Sequence, residues 1–146
     1  MSLQSLVGRT LEEIEPDAVV IKRLVAAATG NIADAKVDKI SFENRFDAAY
    51  KAIMQLANIA LQANGYRTLT SRPGHHTTMI QLLSQTVGLD KPTVIVLDAL
   101  RKQRNIADYT GDNVPASTVS ECIGQAESLL DRVTDWLKYN RPDLID

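Results

Sequence analysis

Between Ser41 and Gly65 the chain repeats apolar residues at Phe42, Phe46, Ala49, Tyr50, Ile53, Met54, Ala57, Ala60 and Leu61. That three-then-four spacing places them on one side of an α-helix and suits no β-strand. Ser41 is a good N-cap, its hydroxyl able to accept from the open amides of a first turn. Asn64-Gly65 ends the run as a left-handed C-cap does. This is the strongest helix in the chain, and its many alanines let a partner helix approach closely.

The remaining segments read as further helices. Leu3, Leu6, Val7, Leu11 and Ile14 keep a helical period, with Thr10 and Glu13 spaced as a capping box, up to Pro16. A second helix runs from about Asp17 through Ile21, Leu24, Val25, Ala28, Ile32 and Ala35, with Gly30 weakening it by about 1 kcal/mol against alanine. Tyr66 to Gly74 reads as a loop closed by Pro73-Gly74. Thr77 to Val87 forms a shorter amphipathic helix stopped by Gly88, and the next runs from Pro92 to Gly111. Its β-branched run Thr93-Val94-Ile95-Val96 could be a strand, but a lone strand has nothing to pair with. After a turn from Asp112 to Ala116, Ser117 or Thr118 caps a last helix, Thr118 with Glu121 again fitting a capping box. Its stripe runs Val119, Cys122, Ile123, Ala126, Leu129, Leu130, Val133, Trp136 and Leu137, and Pro142 ends it. The expectation is an all-α, single-domain helical bundle of four main helices plus short extra ones. Residues 1–16 would be an N-terminal extension or short helix, 17–140 the bundle and 141–146 a tail.

Composition limits the partners. Net charge is −2, against a protein that coats nucleic acid indiscriminately. No apolar run approaches the roughly 20 residues needed to span a bilayer, and a single cysteine, Cys122, excludes an internal disulfide. These features fit a cytoplasmic protein with no membrane partner. The charge is unevenly spread: from Ala48 through Leu89 there is no Asp or Glu, while Lys51, Arg67, Arg72, His75 and His76 lie inside. A middle third of this kind either presents an anion-attracting face or is a largely buried helix without charges.

The chemistry-bearing residues gather on the helix ending at Gly111. Arg104 and Asp108 stand four residues apart, as do Asn105 and Tyr109, so each pair shares a face. With Arg101 nearby they form a patch of cation, amide, carboxylate and phenol. The same spacing also suits a solvated helix end whose ion pair contributes less than about 1 kcal/mol. Metal binding is not expected: no Cys-x-x-Cys or paired-histidine motif is present, and adjacent His75 and His76 would diverge by about 100° on a helix. Cys122 falls on an apolar stripe, and no nucleophile elbow, glycine-rich phosphate loop or paired carboxylate motif occurs. No cofactor is expected. Ser120, Gly124 and Ser128 form a small-residue track that suits either a close-packed dimer seam or an exposed polar face.

Taken in order, four features resemble the HEPN family, the higher-eukaryote and prokaryote nucleotide-binding domains. Phe46-Asp47-Ala48-Ala49-Tyr50 to Gly65-Tyr66-Arg67 resembles its alanine- and aromatic-rich core helix and glycine turn. Gly74-His75-His76 to Ile80 resembles the opening of its next helix, Arg104-Asn105 through Tyr109 its signature, and the final helix its last one. The likeness covers roughly residues 17–140. It implies a nucleotide- or RNA-binding domain, a two-fold homodimer with paired Arg104 side chains facing a cleft, and in some cases a companion nucleotidyltransferase-type protein. Ribonuclease members carry a His a few residues after the Arg and its polar neighbour. Here Tyr109 stands there and no His follows. A phenol of pKa near about 10 exchanges protons poorly at neutral pH, whereas an imidazole does so readily. The resemblance therefore implies a ligand- or partner-binding, non-catalytic domain, with Arg101, Arg104, Asn105, Asp108, Tyr109, Arg72, His75 and His76 as ligand-binding residues. The alternatives are a toxin-type, metal-independent endoribonuclease using Arg104 with Tyr109, His75 or His76, and a structural adaptor.

Overall fold

The computed structural model describes residues 2–71 and 74–146. In chain order the elements are β1 (Leu11–Glu13), α1 (Ala18–Ala35), α2 (Phe42–Ala63), β2 (Tyr66–Thr68), α3 (His75–Gln81), α4 (Leu83–Thr86), α5 (Lys91–Thr110) and α6 (Ala116–Asn140). This is an all-α helical bundle with one two-stranded ribbon at its edge. Among the described residues no helix is long and apolar enough to cross a membrane.

Helix α2 is the central element. Ser41 Oγ accepts from the Asn44 amide at 3.3 Å, and Gly65, at φ +92°, turns the chain after its end. Ala49, Ala52 and Ala60 are fully buried, and these short side chains let α1 and α6 approach its backbone. From α1 come Ile21, Ala28, Ile32 and Ala35. From α6 come Val119, Cys122, Ala126, Leu129, Val133 and Leu137, the stripe expected from their spacing. Asp17 and Asp90 cap α1 and α5 through bonds from the Val19 and Thr93 amides at 2.9 and 3.1 Å. Helix α5 is packed less deeply, burying only Leu97 and Leu100. Thr93 to Val96 is helical within it.

Several local expectations are corrected. Leu3 to Ile14 is not a helix: a single 3-10 turn at Gln4–Leu6 leads into β1. β1 pairs antiparallel with β2, Leu11 opposite Thr68, Glu12 opposite Arg67 and Glu13 opposite Tyr66. The capping box at Thr10 and Glu13 does not form. Instead the Thr10 carbonyl accepts from the Leu69 amide at 2.9 Å, and Glu13 accepts from the Gln4 side chain at 2.8 Å. Leu11 is fully buried, an apolar gain available only when the distant strand is beside it, which overrides the local helical period. By the same pairing, the expected loop from Tyr66 opens with a strand. The helix expected over Thr77 to Val87 begins earlier, at His75, and divides at Leu82. Helix α6 starts at Ala116, with Pro115 in the capping position. Thr118 is therefore inside its first turn, and its hydroxyl accepts from Gln103 Nε2 of α5 at 3.0 Å rather than capping. In the last residues Leu144 is buried, and Arg141 donates to the Ala63 carbonyl at 3.3 Å.

Candidate functional site

Asp47, Tyr50, Lys51, Met54, Gln55, Asn58 and Gln62 recur every three or four residues along α2 and form one wall of a cavity of about 500 Å³. Fifteen residue rises make that wall roughly 22 Å long. Across it stand His75, His76 and Met79 of α3 and Arg104 of α5, with Arg67, Thr68 and Thr70 at the ribbon end. This volume lies within the range of small-molecule and cofactor pockets, on the order of 300–1,000 Å³.

Arg104 sits where α5 meets α2. Its Nε lies 3.4 Å from Asp47 Oδ1, and a terminal nitrogen lies 3.4 Å from Asp108 Oδ2. The guanidinium carbon is 5.1 Å from the centre of the Tyr50 ring, a cation–π arrangement. The Nε is shielded from solvent, yet it has no hydrogen-bond acceptor among the described residues. A permanently charged, planar fork of donors is thus held by two carboxylates and a ring at the edge of open space.

Tyr50 continues the array. Its hydroxyl is 3.2 Å from His76 Nδ1. Burial pushes the phenol up to about 12 against the opposing pull of Arg104 and Arg101, so the phenol keeps its proton, and which of the two groups donates follows the imidazole tautomer. His76 titrates below the usual imidazole range, first because of burial and then because His75, Arg104 and Arg101 surround it. Its neutral form accepts from the phenol when the ring proton is on Nε2 and donates to it when the proton is on Nδ1. His75 packs edge-on against it, with ring centres 4.7 Å apart.

The wall amides are oriented by bonds of their own. Asn31 donates to Gln55 Oε1 at 2.8 Å and Gln62 donates to Asn58 Oδ1 at 3.1 Å. These bonds engage the Gln55 and Asn58 oxygens and not their amino groups, and both residues line the cavity. At the ribbon end Arg67 is paired with Glu12.

Of the residues singled out in the sequence, Arg104, His75 and His76 border the same cavity, and Asp108 meets Arg104. Arg101 lies beside them but is held by Asp98 at 2.8 Å and does not line the cavity. Asn105 is exposed and Tyr109 is 94% exposed, both outside it. Arg72 lies outside the described residues. Tyr50, Asp47 and the amide row were missed, Tyr50 because it reads as core. A signal existed in the row itself, since Gln55, Asn58 and Gln62 are uncharged polar residues at helical spacing beside an apolar stripe. Among the described residues no cluster of three or more His, Cys, Asp or Glu side chains could hold a metal ion. Cys122 is buried, and that burial raises its thiol to about 12.

The Ser120, Gly124 and Ser128 track faces outward on α6. Ile95, Ile106 and Tyr109 leave apolar surface exposed along α5. Comparison with family models, with curated proteins and with solved structures finds no match to this chain.

Proposed function

We propose that the chain is a HEPN-like helical domain that binds a nucleotide or short RNA in the α2–α3–α5 cavity without cleaving it. The observation that supports this is the meeting of Arg104, Lys51, His75 and His76 around one cavity whose α2 wall carries a single carboxylate, Asp47. In this reading Arg104 and Lys51 take the phosphate. The Met54 and Met79 side chains and the Gln55 and Asn58 amino groups contact the nucleoside. Calorimetry with adenosine 5′-monophosphate and a short RNA, on wild type and Arg104→Ala, tests it. Loss of one charged hydrogen-bonding group costs about 1.5–3 kcal/mol, so the variant is expected to bind at least roughly tenfold more weakly. Tyr109→Ala is expected to bind as the wild type does. No response to either ligand, or an unchanged one in Arg104→Ala, removes the proposal and leaves an adaptor.

One observation favours the ribonuclease alternative: His75 and His76 share the cavity with Arg104, although they lie far from it in sequence. In that reading His76, neutral near pH 7, takes the proton of a ribose 2′-hydroxyl while Arg104 holds the phosphate. Cleavage of RNA by wild type that disappears in both Arg104→Ala and His76→Gln would replace the binding proposal with this one. The same proposal includes a homodimer, supported by Ile95, Ile106 and Tyr109 exposed on one face of α5. A monomer by light scattering at tens of micromolar removes that part.

A further inference from the structure

The fixed charges around the cavity balance. Among the described residues, Lys51, Arg67 and Arg104 on the walls are met by Asp47, by Glu12 paired to Arg67 and by Asp108 paired to Arg104. Arg101, the next cation, is neutralised by Asp98. A phosphate entering this space meets cations that already have carboxylate partners, Lys51 excepted, so it gains less from each than from an unpaired cation, and no net positive charge is waiting for it. The groups that can add positive charge are the two imidazoles. They touch edge-on at 4.7 Å, and His76 Nδ1 is joined at 3.2 Å to the Tyr50 hydroxyl, whose ring lies under Arg104.

We infer that the anion subsite is completed by a proton, so that a phosphate bound between the His75–His76 pair and the Arg104–Lys51 end is accompanied by protonation of the pair. This rests on the reading that the cavity takes a phosphate ligand. In the empty site, burial together with His75, Arg104 and Arg101 keeps His76 neutral. A phosphate dianion reverses the sign of the field those cations impose. His76 shares the cavity with Asp47, Tyr50 and Lys51 of α2, His75 of α3 and Arg104 of α5, and Arg101, paired with Asp98, acts on it from outside the lining. Arg67 with Glu12 faces the cavity from the ribbon. With the ligand present the attraction at the imidazole outweighs the repulsion. Two imidazolium rings in contact repel, so the pair takes up about one proton, shared between them. The proton comes from solvent and no bond of the ligand changes. The ligand class is a phosphate monoester at the end of a nucleotide, whose two charges supply the field.

The test is calorimetry of adenosine 5′-monophosphate into the full chain at pH 7.5, in two buffers of different ionisation enthalpy. There the free phosphate, with its second pKa near about 6, is almost wholly dianionic, so uptake measures a proton added on forming the complex, and its loss in the histidine variant assigns it to the imidazoles. The expected result is net uptake of a large part of one proton and a Kd that rises roughly 3- to 10-fold from pH 7 to pH 8.5. In the double variant His75→Gln/His76→Gln the uptake is expected to vanish and the Kd to become flat with pH. Binding by wild type with no uptake and a flat Kd overturns the inference while leaving the proposed function standing. Absence of binding at every pH overturns both. Should the double variant fail to fold, the imidazole NMR titrations of wild type decide. Both pKa values unchanged by ligand overturn the inference, and a rise in either supports it.

Discussion

Asp47→Asn is the perturbation whose outcome follows most directly from the geometry of Arg104, because it is expected to improve a site rather than damage it. The Asp47 carboxylate lies 3.4 Å from Arg104 Nε and its side chain is 48% exposed. A phosphate seated on the guanidinium would lie about 5–6 Å from that carboxylate. At such a distance, repulsion between unit charges is slightly under about 1 kcal/mol in water and about 3 kcal/mol at an effective dielectric of 20. The half exposure of Asp47 puts the value near the lower figure, and the second phosphate charge raises it. The expectation is about 1–2 kcal/mol, or roughly 5- to 30-fold tighter binding of adenosine 5′-monophosphate. Fold stability is expected to change little, since an ion pair this exposed contributes under about 1 kcal/mol, or at most a few degrees in Tm for a chain of this size. Calorimetry at about 50 and 300 mM salt measures the gain, which is expected to shrink as the Debye length falls. Unchanged or weaker binding by a variant that melts normally would refute the electrostatic reasoning at Arg104.

Leu11→Ala is expected to destabilise the fold by about 2–5 kcal/mol, because Leu11 is fully buried in the core from a strand paired with β2. A thermal melt unchanged from wild type would show that the N-terminal segment adds nothing to the core. Cys122, with no exposed surface and its thiol raised to about 12 by burial, is expected to resist a thiol reagent at pH 8 until the protein unfolds. Native labelling at the rate of a free thiol contradicts this. His76, whose folded-state value lies below its unfolded one, binds protons more readily unfolded, so its contribution to stability worsens as pH falls through the ordinary imidazole range near about 6.5. Between pH 7.5 and 5.5 the ligand-free wild type is expected to lose more Tm than His76→Gln, and equal losses count against the assignment.

The helices were legible wherever burial and period coincide. Ser41 to Gly65 and the stripe from Val119 to Leu137 carry their packing face in their own spacing, and α2 and α6 follow it. The ribbon was not legible. Leu11 and Thr68 are partners across 57 positions, and each alone reads as part of a helix or a loop. The candidate site divides in the same way. Arg104 with Asp108 is an intrahelical pair that spacing announces. That Tyr50, buried in the core, would also lie under Arg104 with its hydroxyl at His76 depends on three helices meeting.

By itself, the order of residues determined that this chain forms a helical bundle with one strong alanine-rich helix, that the acid-free third lies on and after that helix, and that Arg104 has an acidic neighbour on its own turn. Tertiary structure alone decided which charges share a cavity. It put His75 and His76 beside Arg104, turned Tyr109 outward, and set Asp47 against the guanidinium. The reason is one of range: caps and helical faces are set by neighbours within four residues, whereas a charge site is the sum of fields from groups that only the packing of distant segments brings within a few ångströms.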